Sequence, residues 1–258
     1  MRLLVSVANV AEASAALAGG ADVIDAKNPL AGALGAVSAD VLREIHATVA
    51  GARLVTAAIG DAADEAEVGR AAGAFAAAGA ALVKVGFAGI TRASRVEMLI
   101  RAAVRGVGAR AGNGGEGGKP EPASERSDLT GVVAVAYADA NRAGSLAACA
   151  VVDVAARAGA TGVLLDTADK SGPGLRGLMT PTALARWVAE AHDAGLLVAL
   201  AGKLTADDLA FVRDAGADIA GVRGAVCDGG RTGRVSSTRV ALLRELCSPA
   251  KAGHYVRG

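Results

Sequence analysis

The chain has 258 residues, 52% of them hydrophobic, and a formal net charge of +1, which gives one domain a sizeable core. Charges of both signs are spread along it without a long basic block, which argues against a nucleic-acid backbone or an anionic membrane as partner. Three Phe, two Tyr and one Trp leave the core to Ala, Val, Leu and Ile, and offer few rings on which nucleobases stack.

The first apolar run, Arg2 to Val7, is of strand length. Glu12 and Asp22 behind it break the pattern of a signal peptide, so it reads as a strand. From there one phrase recurs: an Ala-rich helical stretch, a glycine, then four to six apolar residues ending in a polar one. Glycine just past a helix takes the left-handed conformation that ends it, and the apolar run reads as a strand buried on both faces.

The second strand, Ala21 to Ala26, ends Asp25-Ala26-Lys27. Asp25 and Lys27 are two apart and share one face. The third covers Arg53 to Ala58, and the fourth, Ala81 to Gly86, carries Lys84. The Ala-rich stretch from Ala71 to Val85 includes that lysine and is too polar at its end to span a bilayer. Gly106 to Asp128 is rich in Gly, Pro, Ser and charge, and reads as a flexible insertion on the face away from the chemistry.

The fifth strand, Gly131 to Ala136, is followed by Asp139; the sixth, Thr161 to Asp166, by Lys170. Thr180 then caps a helix with Pro181 at its first position. The seventh strand, Leu197 to Ala201, leads into Gly202-Lys203, after which Thr205 and Asp208 signal another helix start. The eighth, Asp218 to Arg223, leads into Gly224 and a basic glycine-rich loop, Gly229 to Arg234. Residues 249–258 form a tail.

Eight strand–helix units in this length predict a single-domain (β/α)8 TIM barrel over residues 1–248. An open doubly wound sheet is the alternative, but no GxGxxG follows the first strand. Cys149, Cys227 and Cys247 are odd in number and form no CxxC pair, which fits a reducing, cytoplasmic setting. His46 and His192 fall inside helices and His254 in the tail. No metal site and no cofactor is expected.

Barrel enzymes place their chemistry where strands end. Asp25, Lys27, Lys84, Asp166 and Lys170 meet there as candidate catalytic groups. Crowded ammonium groups lower one another's pKa, and a neutral lysine attacks a carbonyl to form a Schiff base; a neighbouring aspartate then moves protons. Asp139, Gly202, Lys203, Arg223 and Gly224 are the candidate substrate- and phosphate-binding residues, because loops after strands seven and eight bind phosphate through backbone N–H groups in such folds. Solvated or ion-paired structural lysines are the plain alternative. The partner expected is a phosphorylated small molecule, with further copies of the chain as a homo-oligomer.

Several motifs resemble those of (5-formylfuran-3-yl)methyl phosphate synthases. They are Asp25-Ala-Lys27-Asn28-Pro29 with Gly32 to Ala36, Val83-Lys84-Val85-Gly86, Tyr137-Ala-Asp139 with Arg142 and Gly144, Leu165-Asp166-Thr167-Ala-Asp-Lys170, Ala201-Gly202, and Gly221-Val-Arg223-Gly224-Ala. The likeness runs from the first strand to about Arg234. It implies a (β/α)8 barrel that condenses two molecules of glyceraldehyde 3-phosphate to 4-(hydroxymethyl)-2-furancarboxaldehyde phosphate, with loss of phosphate and water, in methanofuran-type furan biosynthesis. It implies Lys27 as the Schiff-base lysine, with Asp25, Lys84, Asp166 and Lys170 as companions. Another Schiff-base aldolase, or a non-catalytic phosphosugar-binding barrel, are the competing expectations.

Overall fold

The computed structural model describes residues 1–109 and 130–247. Eight parallel strands follow one another around a closed barrel: β1 (Arg2–Val7), β2 (Val23–Ala26), β3 (Leu54–Asp61), β4 (Leu82–Gly86), β5 (Gly131–Tyr137), β6 (Gly162–Asp166), β7 (Leu197–Leu200) and β8 (Ile219–Val222). β8 pairs back onto β1, which closes the sheet. The outer layer holds α1 (Val10–Ala18), α2 (Ala39–Val49), α3 (Glu65–Ala77), α4 (Ala93–Gly108), α5 (Ala140–Ala143), α6 (Ala148–Ala158), α7 (Leu175–Leu178), α8 (Pro181–Asp193), α9 (Leu209–Asp214) and α10 (Ser237–Cys247). No described helix is long and apolar enough to cross a membrane.

Alternation along the strands builds two cores. Outward residues such as Leu3, Val5, Ile24 and Val83 pack under the helices, while Leu4, Val23, Leu82, Val133, Leu164 and Ile219 fill the barrel's interior. Both faces are apolar, so the strands read as continuous hydrophobic runs. Toward the C-terminal ends the inward positions turn polar: Ser6, Asp25, Thr56, Lys84 and Asp166 are all buried. No buried side-chain polar atom among the described residues lacks a partner.

Helix starts follow the sequence. Thr180 accepts from the Ala183 N–H with Pro181 in the first turn of α8, and Asn9, Ser38 and Asp64 cap α1, α2 and α3 in the same way. Thr205 and Asp208 form a capping box over a 3-10 turn, Ala206–Asp208, that runs into α9.

α3 and α4 pack through glycine. A methyl group built on Gly106 would lie 2.1 Å from the carbonyl oxygen of Gly69, so the two backbones are in direct contact there. This corrects the start of the expected insertion: residues 106–108 continue α4, because the close approach to α3 uses the glycine that breaker statistics assign to a loop. Ala109 caps α4, and residues 110–128 and the tail at 249–258 lie outside the described residues. Two further features go beyond the expected elements. β3 runs on to Asp61, and β9 (Cys227–Asp228) pairs with β10 (Arg234–Val235) across the glycine-rich loop after β8.

Candidate active site

Register brings the polar positions of the first three strands together. Ser6, Asp25 and Thr56 are consecutive partners across β1, β2 and β3, so all three project into the barrel. The Asp25 carboxylate, fully buried, accepts from Ser6 Oγ at 2.9 Å and from Thr56 Oγ1 at 2.8 Å. Lys84 reaches across from β4 and places Nζ 2.5 Å from Asp25 Oδ1.

A second pair closes the opposite wall. Asp166 ends β6, buried, and its Oδ1 accepts from Lys170 Nζ at 2.7 Å and from the Thr167 N–H at 2.7 Å. Lys170 also donates to the Thr167 carbonyl at 2.6 Å. Burial by itself would raise the Asp166 carboxyl; Lys170, Lys27 and the hydrogen bonds from Lys170 and Thr167 outweigh it and hold the group below the ordinary carboxylate range.

Lys27 differs from its neighbours. Lys84 and Lys170 are ion-paired, and Lys203 donates to the Gly172 carbonyl at 2.5 Å. The Lys27 ammonium has no hydrogen bond or ion pair among the described residues. Burial pushes its pKa down to about 8; Asp166 and Asp25 oppose the shift, and the charges of Lys84 and Lys170 add to it. Near neutral pH a usable fraction of this side chain is therefore a free amine. It opens on a cavity of ≈ 370 Å³ walled by Asp25, Lys27, Lys84, Asp166, Lys170 and Lys203 among others, within the range of small-molecule sites.

The loops after β7 and β8 form the rim. Gly202 has φ 106° and Lys203 φ 58°, both left-handed. The turn leaves the N–H groups of Gly202, Lys203 and Leu204 without a protein acceptor among the described residues. Gly224 also lines the cavity, at the start of a 3-10 turn, Gly224–Val226.

Residues 3–244 match the family model described as 4-HFC-P synthase. The chain belongs to the 4-HFC-P synthase family. It is 40% identical to the (5-formylfuran-3-yl)methyl phosphate synthase of Methanopyrus kandleri over 95% of this chain and 97% of the relative. To the enzyme of the same name from Methanocaldococcus jannaschii it is 37% identical, over 96% and 100%. Among solved structures it resembles KGPDC from Streptococcus mutans with TM-score 0.64, 14% identity and 95% and 96% coverage. A 3-hexulose-6-phosphate synthase matches with TM-score 0.58, 21% identity and 96% and 100% coverage. At these identities the solved structures speak for the barrel alone.

In this 4-HFC-P synthase barrel, two residues expected to touch substrate have other employment for their side chains. Arg223 commits all five of its N–H donors: Nε to the Arg231 carbonyl, one terminal nitrogen to the Ser6 carbonyl and Glu12, the other to Glu12 and the Gly233 carbonyl. Asp139 stands outside the cavity wall and accepts the N–H groups of Ala168 and Asp169 at 2.8 and 2.9 Å, which shapes the loop carrying Lys170.

Sequence reasoning gave no site role to Ser6, Thr56, Glu12 or Asp61, and named Arg231 and Tyr137 only within a basic loop and a motif. Arg231 donates to the carbonyls of Pro29 and Gly32 and ties the β8 loop to the segment after Lys27. Tyr137 donates to Asp61 at 2.7 Å; burial and the Asp61 charge push its phenol well up. For Ser6, Thr56, Asp61 and Tyr137 the available signal was a hydroxyl or carboxylate near the end of an apolar strand, where burial demands a partner; Glu12 and Arg231, on a helix and in a loop, carried none.

Proposed function

We propose that the protein is a (5-formylfuran-3-yl)methyl phosphate synthase that condenses two glyceraldehyde 3-phosphate molecules on Lys27. The observation that carries this reading is the depressed-pKa amine of Lys27, unpaired among the described residues, beside two carboxylate-bound lysines. Atom balance for the furan requires one phosphate and two waters to leave.

Lys27 as the free amine adds to one aldehyde carbon, and loss of water gives an iminium. Removal of a proton from the adjacent carbon turns it into an enamine, which supplies the carbon nucleophile that joins the second aldehyde. Lys84 and Lys170, ion-paired with Asp25 and Asp166, are placed to donate protons to departing hydroxide and phosphate oxygens. Asp25 and Asp166 fix those ammonium groups and balance the iminium charge. The unused N–H groups of Gly202, Lys203 and Leu204 suit the phosphate that is retained.

The test is incubation of purified protein with glyceraldehyde 3-phosphate, following inorganic phosphate and furan-aldehyde ultraviolet absorbance, with Lys27→Ala in parallel. Native protein is expected to produce both signals in equal amounts and to be inactivated by borohydride with substrate, adding mass at Lys27. The variant is expected to lose about three orders of magnitude or more in rate. An aldol adduct formed reversibly without phosphate release would point to an aldolase instead.

A further inference from the structure

We propose that Ser6 and Thr56 are positioning residues which, by clamping the Asp25 carboxylate from both flanking strands, fix the place of the Lys84 ammonium beside Lys27. The inference rests on the synthase reading for its kinetic consequence, while the clamp itself is a property of the fold.

Asp25 receives three donors on two oxygens: Ser6 on Oδ2, Thr56 and Lys84 on Oδ1. A hydroxyl has one hydrogen, and each of these two has the Asp25 carboxylate as its acceptor. Donors on both oxygens stop the carboxylate from rotating, so that Oδ1 faces Lys84. Both hydroxyls are buried at inward positions, where one residue pair lower on the same strands Leu4 and Leu54 are apolar. A buried hydroxyl without use would cost free energy there.

The clamp is braced from behind. The Ser6 carbonyl accepts from Arg223 at 3.0 Å, and Arg223 is bound in turn by Glu12. The chain of contacts therefore runs from the start of α1 through β8 and β1 to Asp25 and ends on Lys84, whose charge bears on Lys27. Loss of either hydroxyl frees the carboxylate to turn, and Lys84 loses its fixed address. In a site where misplacement by about 1 Å costs up to about a hundredfold, the effect falls on turnover rather than on binding.

The experiment compares native protein with Ser6→Ala, Thr56→Val and Thr56→Ser in two readouts. The first is brief acetic anhydride labelling at pH 8, with acetylation of Lys84 measured by peptide mass spectrometry against exposed Lys203. The second is steady-state kinetics with glyceraldehyde 3-phosphate. In Ser6→Ala and Thr56→Val, Lys84 labelling is expected to rise several-fold. Over the same pair kcat is expected to fall about 10–100-fold with KM within about twofold. Thr56→Ser, which keeps the donor and loses the methyl, is expected to return both readouts toward native. Lys84 labelling at the native rate in both hydroxyl-less variants would overturn the clamp. Native protein that makes no furan would defeat the synthase reading instead, and the labelling would still decide the clamp.

Discussion

Lys84 on β4 and Asp25 on β2 meet at 2.5 Å across a strand that belongs to neither, with side chains 6% and 0% exposed. The intervening strand contributes Thr56 to the same carboxylate. A buried pair of this kind draws its stability from completeness: both charges have lost water, and each is supportable only while the other remains.

Asp25→Asn is therefore expected to destabilise the barrel by about 3–5 kcal/mol, because it strands the Lys84 ammonium in the interior. Urea unfolding followed by circular dichroism measures the loss. The double variant Asp25→Asn with Lys84→Met is expected to recover most of it, since no unpaired charge is left. A double variant as unstable as the single would mean that the pair is not the source.

Lys27 makes the pH dependence directional. Its pKa in the folded chain is lowered to about 8, against about 10.4 for an unperturbed lysine. Turnover that depends on the free amine is expected to rise with pH through about 8 and then level off.

The same group has a stability signature of opposite origin. Below pH 8 both folded and unfolded chains carry the proton, and burial of the charge is a constant penalty. Between about 8 and 10 the unfolded chain binds a proton that the native one lacks, so stability due to this group rises with pH. Lys27→Met is expected to stabilise the protein by about 1–3 kcal/mol at pH 7, with the gain shrinking toward pH 10. Equal gains at both pH values would contradict a depressed Lys27.

Arg223 and Gly202 are expected to separate in kinetics. Arg223→Lys removes the fork that holds Glu12 and three carbonyls and is expected to cost about 2–4 kcal/mol of stability, with KM changed less than about tenfold since every guanidinium donor is already engaged within the protein. Gly202→Ala places a side chain at φ 106° and a methyl 3.0 Å from Thr167 Cγ2, and is expected to raise KM by disturbing the free N–H groups. Thermal melts and initial rates on the two variants check the contrast.

Away from the site, Gly106→Ala is expected to destabilise by about 1–3 kcal/mol through overpacking. The added methyl meets the Gly69 carbonyl, a backbone atom that has no rotamer to yield. Gly108→Ala, where nothing among the described residues lies within 4 Å, serves as the control in the same denaturation series and is expected to be neutral or slightly stabilising.

Eight strands, their order and the polar residues at their ends were legible in the sequence because each is a local pattern: an apolar run, a glycine before it, a polar residue after it. Family membership was legible for the same reason, since Asp25-Ala-Lys27 and Asp166 with Lys170 are short motifs at the ends of single strands. The insertion boundary at Gly106 was not, because a glycine chosen for contact with Gly69 looks the same in sequence as one chosen for a loop.

Only the tertiary structure decided which charges meet. Lys84 pairs with Asp25 rather than Asp166, Lys170 takes Asp166, and Lys27 is left without a partner among the described residues. Glu12 takes two of the five Arg223 donors from more than two hundred residues away. Alternation along a strand tells which way a side chain points, and no more than that. Its neighbours across the barrel are fixed by register and by closure of β8 onto β1, and a lysine's long flexible stem reaches several acceptors until packing leaves it one.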